Sequence, residues 1–216
     1  MPLEIWFPTV VFYEDVAVDA AFRRGALDAV RERMAVGATG DVAFTADTAP
    51  NDLHLDPRVA ALLELFRPAL ARLLFEHLRC DPARVEFHVG RCWPVLQRGN
   101  ELSGAVHSHR GAVFSGVFFL QAPPGSGALT LYKPCDTLAD GLPKAELTAL
   151  TFPSVTYEAV ENRLIVFASE LRHNRQPNTG VESDARIAIA FDLFALSDLD
   201  AFGSGPPRRE YWRKLP

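Results

Sequence analysis

The side chains best suited to chemistry are two histidines one residue apart, in His107-Ser108-His109. In a strand, residues i and i+2 project from the same face, so both imidazoles would point one way and share a cation. Imidazole is a common ligand for iron, zinc, copper and nickel. The H-x-H pattern is short, and two hydrogen-bonded or exposed histidines at a strand end give the same letters. A third histidine, His173, follows the apolar run 162–167 and precedes Pro177 and Asn178. Arg186 then opens another apolar run. On a strand it shares its face with Ala188 and Ala190, while Ile187, Ile189 and Phe191 take the other. A guanidinium is a planar fork matched to a carboxylate, and small neighbours leave room for a ligand. An arginine facing solvent on an edge strand is the alternative. His54, His77 and His88 read as structural or surface residues.

The elements that must position these groups change in texture along the chain. Residues 3–13 mix β-branched and aromatic residues and predict a strand broken at Pro8. Phe22, Ala26, Val30 and Met34 recur every four residues and predict a helix stopped by Gly37 and Gly40. Residues 38–56 read as a loop. Asp56 and Pro57 start a second helix, whose apolar stripe runs from Val59 to Leu74, with Pro68 imposing a kink or two abutting helices. From residue 84 the chain breaks into short apolar segments separated by Gly, Pro and Asn. Strands are expected near 84–95, 104–109, 112–121, 127–133, 155–158, 163–167, 173–177 and 186–195. The expected class is mainly β, a sandwich or jelly roll braced by two or three N-terminal helices. One domain over 1–216 is the expected organisation: helical support over 1–83, a β-sandwich core over 84–195 and a tail over 196–216.

Bulk properties narrow the function. Of 216 residues, 48% are hydrophobic and 23% charged, which allows a sizeable core. A formal charge of -5 argues against a general nucleic-acid binder. The basic C-terminus, with Arg208, Arg209, Arg213 and Lys214, reads as a solvated tail. Cys80, Cys92 and Cys135 are too far apart for a C-x-x-C clip and odd in number, so reduced thiols are expected. No signal-like N-terminus or membrane-length apolar run is visible. A cytoplasmic protein without membrane attachment is expected.

The order H-x-H, hairpin, strand, His, turn, Arg resembles the Fe(II)/2-oxoglutarate oxygenases of the double-stranded β-helix (jelly-roll) fold. The similarity is to the bacterial and phage branch with H-x-H in place of H-x-D. A branch phrase "H-x-H-x-x-x-x-x-S-G-V-Y-Y-L" appears as residues 107–120, with Ser115-Gly116-Val117-Phe118-Phe119-Leu120 at its end. A later phrase, "F-P-S-x-L-x-H-x-x-x-P-N" then "R-I-S-I-A-F-N", appears as residues 167–178 and 186–192. The opening Ile5-Trp6-Phe7-Pro8-Thr9 is also similar. The likeness is good over 93–194 and loose over 1–80. It implies that His107, His109 and His173 ligate Fe(II), and that Arg186 pairs with the distal carboxylate of the co-substrate 2-oxoglutarate. It further implies O₂ as reactant and a small-molecule or peptide substrate.

The chain departs from the family twice. His109 replaces the usual carboxylate ligand, and three imidazoles suit zinc as well as iron. Glu170 and Asp192 are the nearby acids, and either is a candidate to orient an imidazole. Phe119 stands where many relatives place a tyrosine that hydrogen-bonds the oxo-acid. Tyr132 or Thr130 on the next strand is the expected substitute, so Arg186, Phe119, Leu129 and Tyr132 form the expected oxo-acid set. Trp93 and Gln97 are candidates for the pocket mouth. Two alternatives stand beside the oxygenase: a cupin-like three-histidine metalloenzyme that leaves Arg186 idle, and a non-catalytic jelly-roll binding module.

Overall fold

The computed structural model describes residues 4–5, 7–37, 51–180, 185–197 and 213–214. Its helices are α1 (Ala20–Gly37), α2 (Pro57–Leu65) and α3 (Arg67–Ala71), the last running into a π-helical turn over Arg72–His77. Its strands are β1 (Val11–Asp15), β2 (Val85–Gln97), β3 (Phe114–Gln121), β4 (Leu129–Tyr132), β5 (Ser154–Tyr157), β6 (Arg163–Ala168), β7 (His173–Arg175), β8 (Arg186–Ser197) and β9 (Arg213–Lys214). They form a six-stranded sheet in the order β1-β6-β3-β8-β2-β9 and a three-stranded sheet in the order β5-β4-β7. All these pairings are antiparallel. This is the expected mainly-β jelly roll with N-terminal helices. None of the described helices is long and apolar enough to cross a membrane.

Strand alternation gives the large sheet two different faces. Ile187, Ile189, Phe191 and Leu193 of β8 join Phe118, Leu120, Leu164 and Val166 beneath the helices. There Phe66 lies 4.8 Å from the Phe118 ring and 5.9 Å from that of Phe191, centroid to centroid. The opposite face, with Phe119, Ile165, Phe167 and Ala188, packs against Leu129 and Leu131 of the small sheet. Arg186 and Asp192 of β8 share this inner face with Ala188. Strand β2 reaches it through a bulge between Val89 and Arg91. Phe87 and Val89 face the helices before the bulge and Cys92 after it. The extra residue thus reverses parity and turns Arg91, Trp93, Val95 and Gln97 inward.

The helical stripe divides at Pro68 into two abutting helices. Asp56 caps α2 by accepting from the Arg58 N–H at 2.9 Å, with Pro57 in its first turn. Three expectations need correction. The first strand covers 11–15, downstream of Pro8, because proline offers no N–H to a ladder. Residues 104–109 form no strand; only His107 makes a bridge, to His173. Arg213 and Lys214 are not a free tail but pair with Val89 and His88 as β9. Their side chains meet Glu64 at 2.5 Å and Glu86 at 2.6 Å. The expected loop over 38–56 lies largely outside the described residues, but Leu53–Leu55 form a 3₁₀ turn.

Candidate metal centre

His173 opens β7, and its backbone fixes His107. The His107 N–H donates to the His173 carbonyl at 3.0 Å, and the His173 N–H returns a bond to the His107 carbonyl at 2.8 Å. Farther along, the Gly104 N–H donates to the Arg175 carbonyl at 3.0 Å, so segment 104–107 tracks the free edge of β7. The His109 N–H donates to the Ser169 carbonyl at 2.8 Å, which ties the second histidine to the turn ahead of His173. These backbone contacts bring the three rings together without a continuous strand through 107–109. The ring centroids lie 5.2 Å (His107–His109), 4.4 Å (His107–His173) and 4.9 Å (His109–His173) apart. One ring nitrogen from each lies within 4.8 Å of the other two.

Each imidazole has its Nδ1 engaged. His107 Nδ1 is 2.9 Å from the Ala105 carbonyl, and His173 Nδ1 is 2.9 Å from the Leu171 carbonyl. A carbonyl only accepts, so both rings carry the proton on Nδ1 and present an Nε2 lone pair. His109 Nδ1 lies 2.8 Å from Asp192 Oδ1, and its Nε2 is buried with no hydrogen-bond partner. A buried, orphaned nitrogen lone pair facing two others is a cation site by its chemistry. Burial lowers the His173 pKa to about 4, with further lowering from His107 and His109, so it is neutral and ready to ligate near pH 7. The donor set therefore fits a divalent transition metal.

Behind His109 lies a buried polar chain. Asp192, fully buried, accepts from Ser115 Oγ at 2.6 Å and meets Arg91 Nη2 at 2.8 Å. The Ser115 and Ser169 hydroxyls are 2.8 Å apart. Trp93 packs its edge on His109 at 5.2 Å between centroids. Of the two acids expected as orienting groups, Asp192 takes that position and Glu170 is exposed. His54, His77 and His88 stay outside the triad.

Arg186 stands at the other end of the same β8 face, roughly 20 Å along the strand from Asp192 by strand rise. Ala188 and Ala190 lie between them and leave a floor of small side chains. Only 3% of Arg186 is exposed, and among the described residues no carboxylate pairs with it. Its Nη1 donates to the Gly127 carbonyl at 2.5 Å, its Nε is buried without a partner, and the guanidinium sits 5.6 Å over the Phe119 ring. Burial, helped by the positive charge of Arg175, lowers its pKa to about 10. A buried cation without a counter-ion is costly unless an anion arrives. Phe119 and Leu129 share the inter-sheet cluster with Ala188. Tyr132 does not join them: with Leu129 and Leu131 pointing inward, alternation sends Thr130 and Tyr132 outward. There the Tyr132 hydroxyl donates to Asn174 Oδ1 at 3.2 Å, and Thr130 Oγ1 accepts from Gln176 Nε2 at 2.7 Å. Both hydroxyls thus bond on the face of the small sheet away from Leu129 and Leu131.

Three contributors escaped the sequence reading. Ser115 and Ser169 sit inside the two quoted phrases, so their positions in those phrases were the available signal. Arg91 joins the site through the β2 bulge, which nothing in its neighbours' hydropathy announces. Gln97, expected with Trp93 at the pocket mouth, is inward and fully buried beside Arg186 in register and donates its amide to the Gln176 carbonyl at 2.8 Å.

Residues 91–192 match a family model described as "Putative 2OG-Fe(II) oxygenase". No curated protein matches the chain significantly. Among solved structures, the chain is similar to the non-heme alpha ketoglutarate dependent carbocyclase SnoK from nogalamycin biosynthesis. The TM-score is 0.64 at 11% identity, covering 96% of this chain and 92% of that one. It is similar to the epimerase SnoN in complex with Fe³⁺, alpha ketoglutarate and nogalamycin RO, with TM-score 0.62, 14% identity and coverage of 96% and 94%. It is also similar to a prolyl hydroxylase from Trichoplax adhaerens bound to a hypoxia inducible factor peptide, with TM-score 0.55, 15% identity and coverage of 85% and 83%. At these identities the structural likeness shows the shared fold.

Proposed function

We propose that this chain, a 2OG-Fe(II) oxygenase by the family match over residues 91–192, holds Fe(II) on His107, His109 and His173 and 2-oxoglutarate on Arg186. The observation that carries this reading is the pairing of two incomplete sites on one face. Three ring nitrogens converge within 4.8 Å, and a buried guanidinium that pairs with no carboxylate among the described residues lies at the far end. When bound, iron and the oxo-acid supply the oxidation of a C–H bond by O₂, coupled to decarboxylation of 2-oxoglutarate to succinate. Arg186 binds the distal carboxylate as a fork, with Phe119 and Leu129 walling the methylene chain. Gly127 and Gln97 hold that end closed, and the burial of Arg186 excludes the water that would weaken its grip. The exposed His107 marks the side from which substrate approaches.

A small molecule or a peptide is the substrate class in this reading. It rests on the range of neighbours with this fold, from a carbocyclase of nogalamycin biosynthesis to a peptide-bound prolyl hydroxylase. The three cysteines are free, in keeping with a cytoplasmic enzyme. The buried cation favours an oxo-acid enzyme over a three-histidine protein that leaves Arg186 idle. Anaerobic titration tests this directly. The Fe(II)-loaded protein should bind 2-oxoglutarate, and aerobic incubation should yield succinate; His173→Ala should abolish both. Oxo-acid binding unaffected by Arg186→Ala would refute the assignment of that residue.

A further inference from the structure

Before an oxo-acid binds, three neutral imidazoles leave the dipositive charge of a bound metal uncompensated, and a cation in a partly buried site needs an anion near it. The described residues offer few. Glu170 is exposed. Glu101 lies 4.0 Å from Arg175, outside the triad. Asp192 alone is both fully buried and in contact with a histidine of the triad. Its Oδ1 accepts from His109 Nδ1 at 2.8 Å and from Ser115 at 2.6 Å, while its Oδ2 faces Arg91 at 2.8 Å. A carboxylate that accepts the Nδ1–H of a ligating imidazole raises the basicity of the opposite nitrogen and fixes the ring's orientation.

We propose that Asp192 is the charge partner of the metal centre, a positioning residue that makes His109 the strongest donor of the three, and that Arg91 limits its strength. His107 and His173 lack this backing, since their Nδ1 groups donate to neutral backbone carbonyls. The triad is therefore electronically unequal. Arg91 reaches Asp192 because of the β2 bulge, and its positive charge draws on the same carboxylate from the other side. Removing the carboxylate charge and removing Arg91 thus act in opposite directions, whereas a purely architectural chain would loosen either way.

This inference rests on the three-histidine reading, and the experiment separates the two. Fe(II) binding under anaerobic conditions, and Co(II) binding followed by its visible absorption, are measured for the wild type, His173→Ala, Asp192→Asn and Arg91→Gln. Asparagine preserves the shape and one acceptor. Asp192→Asn should weaken metal binding about 10- to 100-fold and shift the Co(II) spectrum, while Arg91→Gln should tighten it several-fold. Equal affinity of Asp192→Asn and wild type, or weaker binding by Arg91→Gln, overturns the proposal. Should Asp192→Asn fail to fold, the sign of the Arg91→Gln effect decides. A wild type that takes up no metal overturns both readings. A wild type that binds, with His173→Ala that does not and Asp192→Asn unchanged, overturns this one alone.

Discussion

In the proposed reading, Arg186 trades stability for ligand binding at a single side chain. Its guanidinium is desolvated, has one neutral acceptor among the described residues and repels Arg175. Replacement by an unbranched apolar side chain removes that cost and fills the same space. Arg186→Met should therefore raise the thermal midpoint of the ligand-free protein while weakening 2-oxoglutarate at least about thirtyfold, the equivalent of about 2 kcal/mol. Paired thermal and binding measurements check this, and a lowered midpoint would show that Arg186 is a structural residue. His173 sets a pH dependence of definite sign. Its folded pKa, about 4, lies below the ordinary imidazole value of 6.5, so the unfolded chain binds that proton more tightly. The metal-free protein keeps its stability above pH 6.5, loses it as pH falls toward 4, and levels off below, with a slope of at most about 1.4 kcal/mol per pH unit. Chemical denaturation at several pH values should show this slope in the wild type and a shallower one in His173→Gln.

Among the elements, two glycines show how strand packing supports the site. A Cβ on Gly116 of β3 would lie 2.2 Å from the Phe191 ring of β8, the ring that stacks on Phe66 beneath the helices. Gly116→Ala should cost about 1–3 kcal/mol by overpacking, read as a lowered denaturation midpoint. At Gly127 a Cβ would lie 2.2 Å from the Gln176 carbonyl oxygen, a backbone atom with little freedom to move. Because the Gly127 carbonyl anchors Arg186, Gly127→Ala should weaken 2-oxoglutarate more than it weakens Fe(II). Separate titrations of the two would expose the difference, and equal losses would contradict it. The β2 bulge belongs to this scale as well, since without its extra residue Arg91, Trp93 and Gln97 would face the helices.

For the molecule as a whole, the two sheets enclose the face that carries Asp192 and Arg186, and the described helices brace the large sheet from behind. Binding to the folded state alone stabilises by RT ln(1 + [L]/Kd), about 2.7 kcal/mol at a hundredfold excess. For a chain of this size that corresponds to a rise of about 5–10 °C in the thermal midpoint. Fe(II) should produce such a shift, a chelator should reverse it, and His173→Ala should show none.

The sequence by itself determined the class of the fold, the three histidines, and the division of β8 into an apolar face and an Arg186-Ala188-Ala190 face. Periodicity is a local property, and the quoted phrases carry order and spacing. Tertiary structure decided the rest. His107 and His109 meet His173 through backbone bonds to residues sixty or more positions away, not through strand parity. Tyr132 turns outward because Leu129 and Leu131 claim the core. Asp192 reads from its letters as one acid on a strand shared with Arg186; it becomes the partner of His109 only when β2, β3 and β8 lie side by side. Contacts between elements distant in sequence leave no periodic trace in any one of them, and the electrostatics of this centre are made of such contacts.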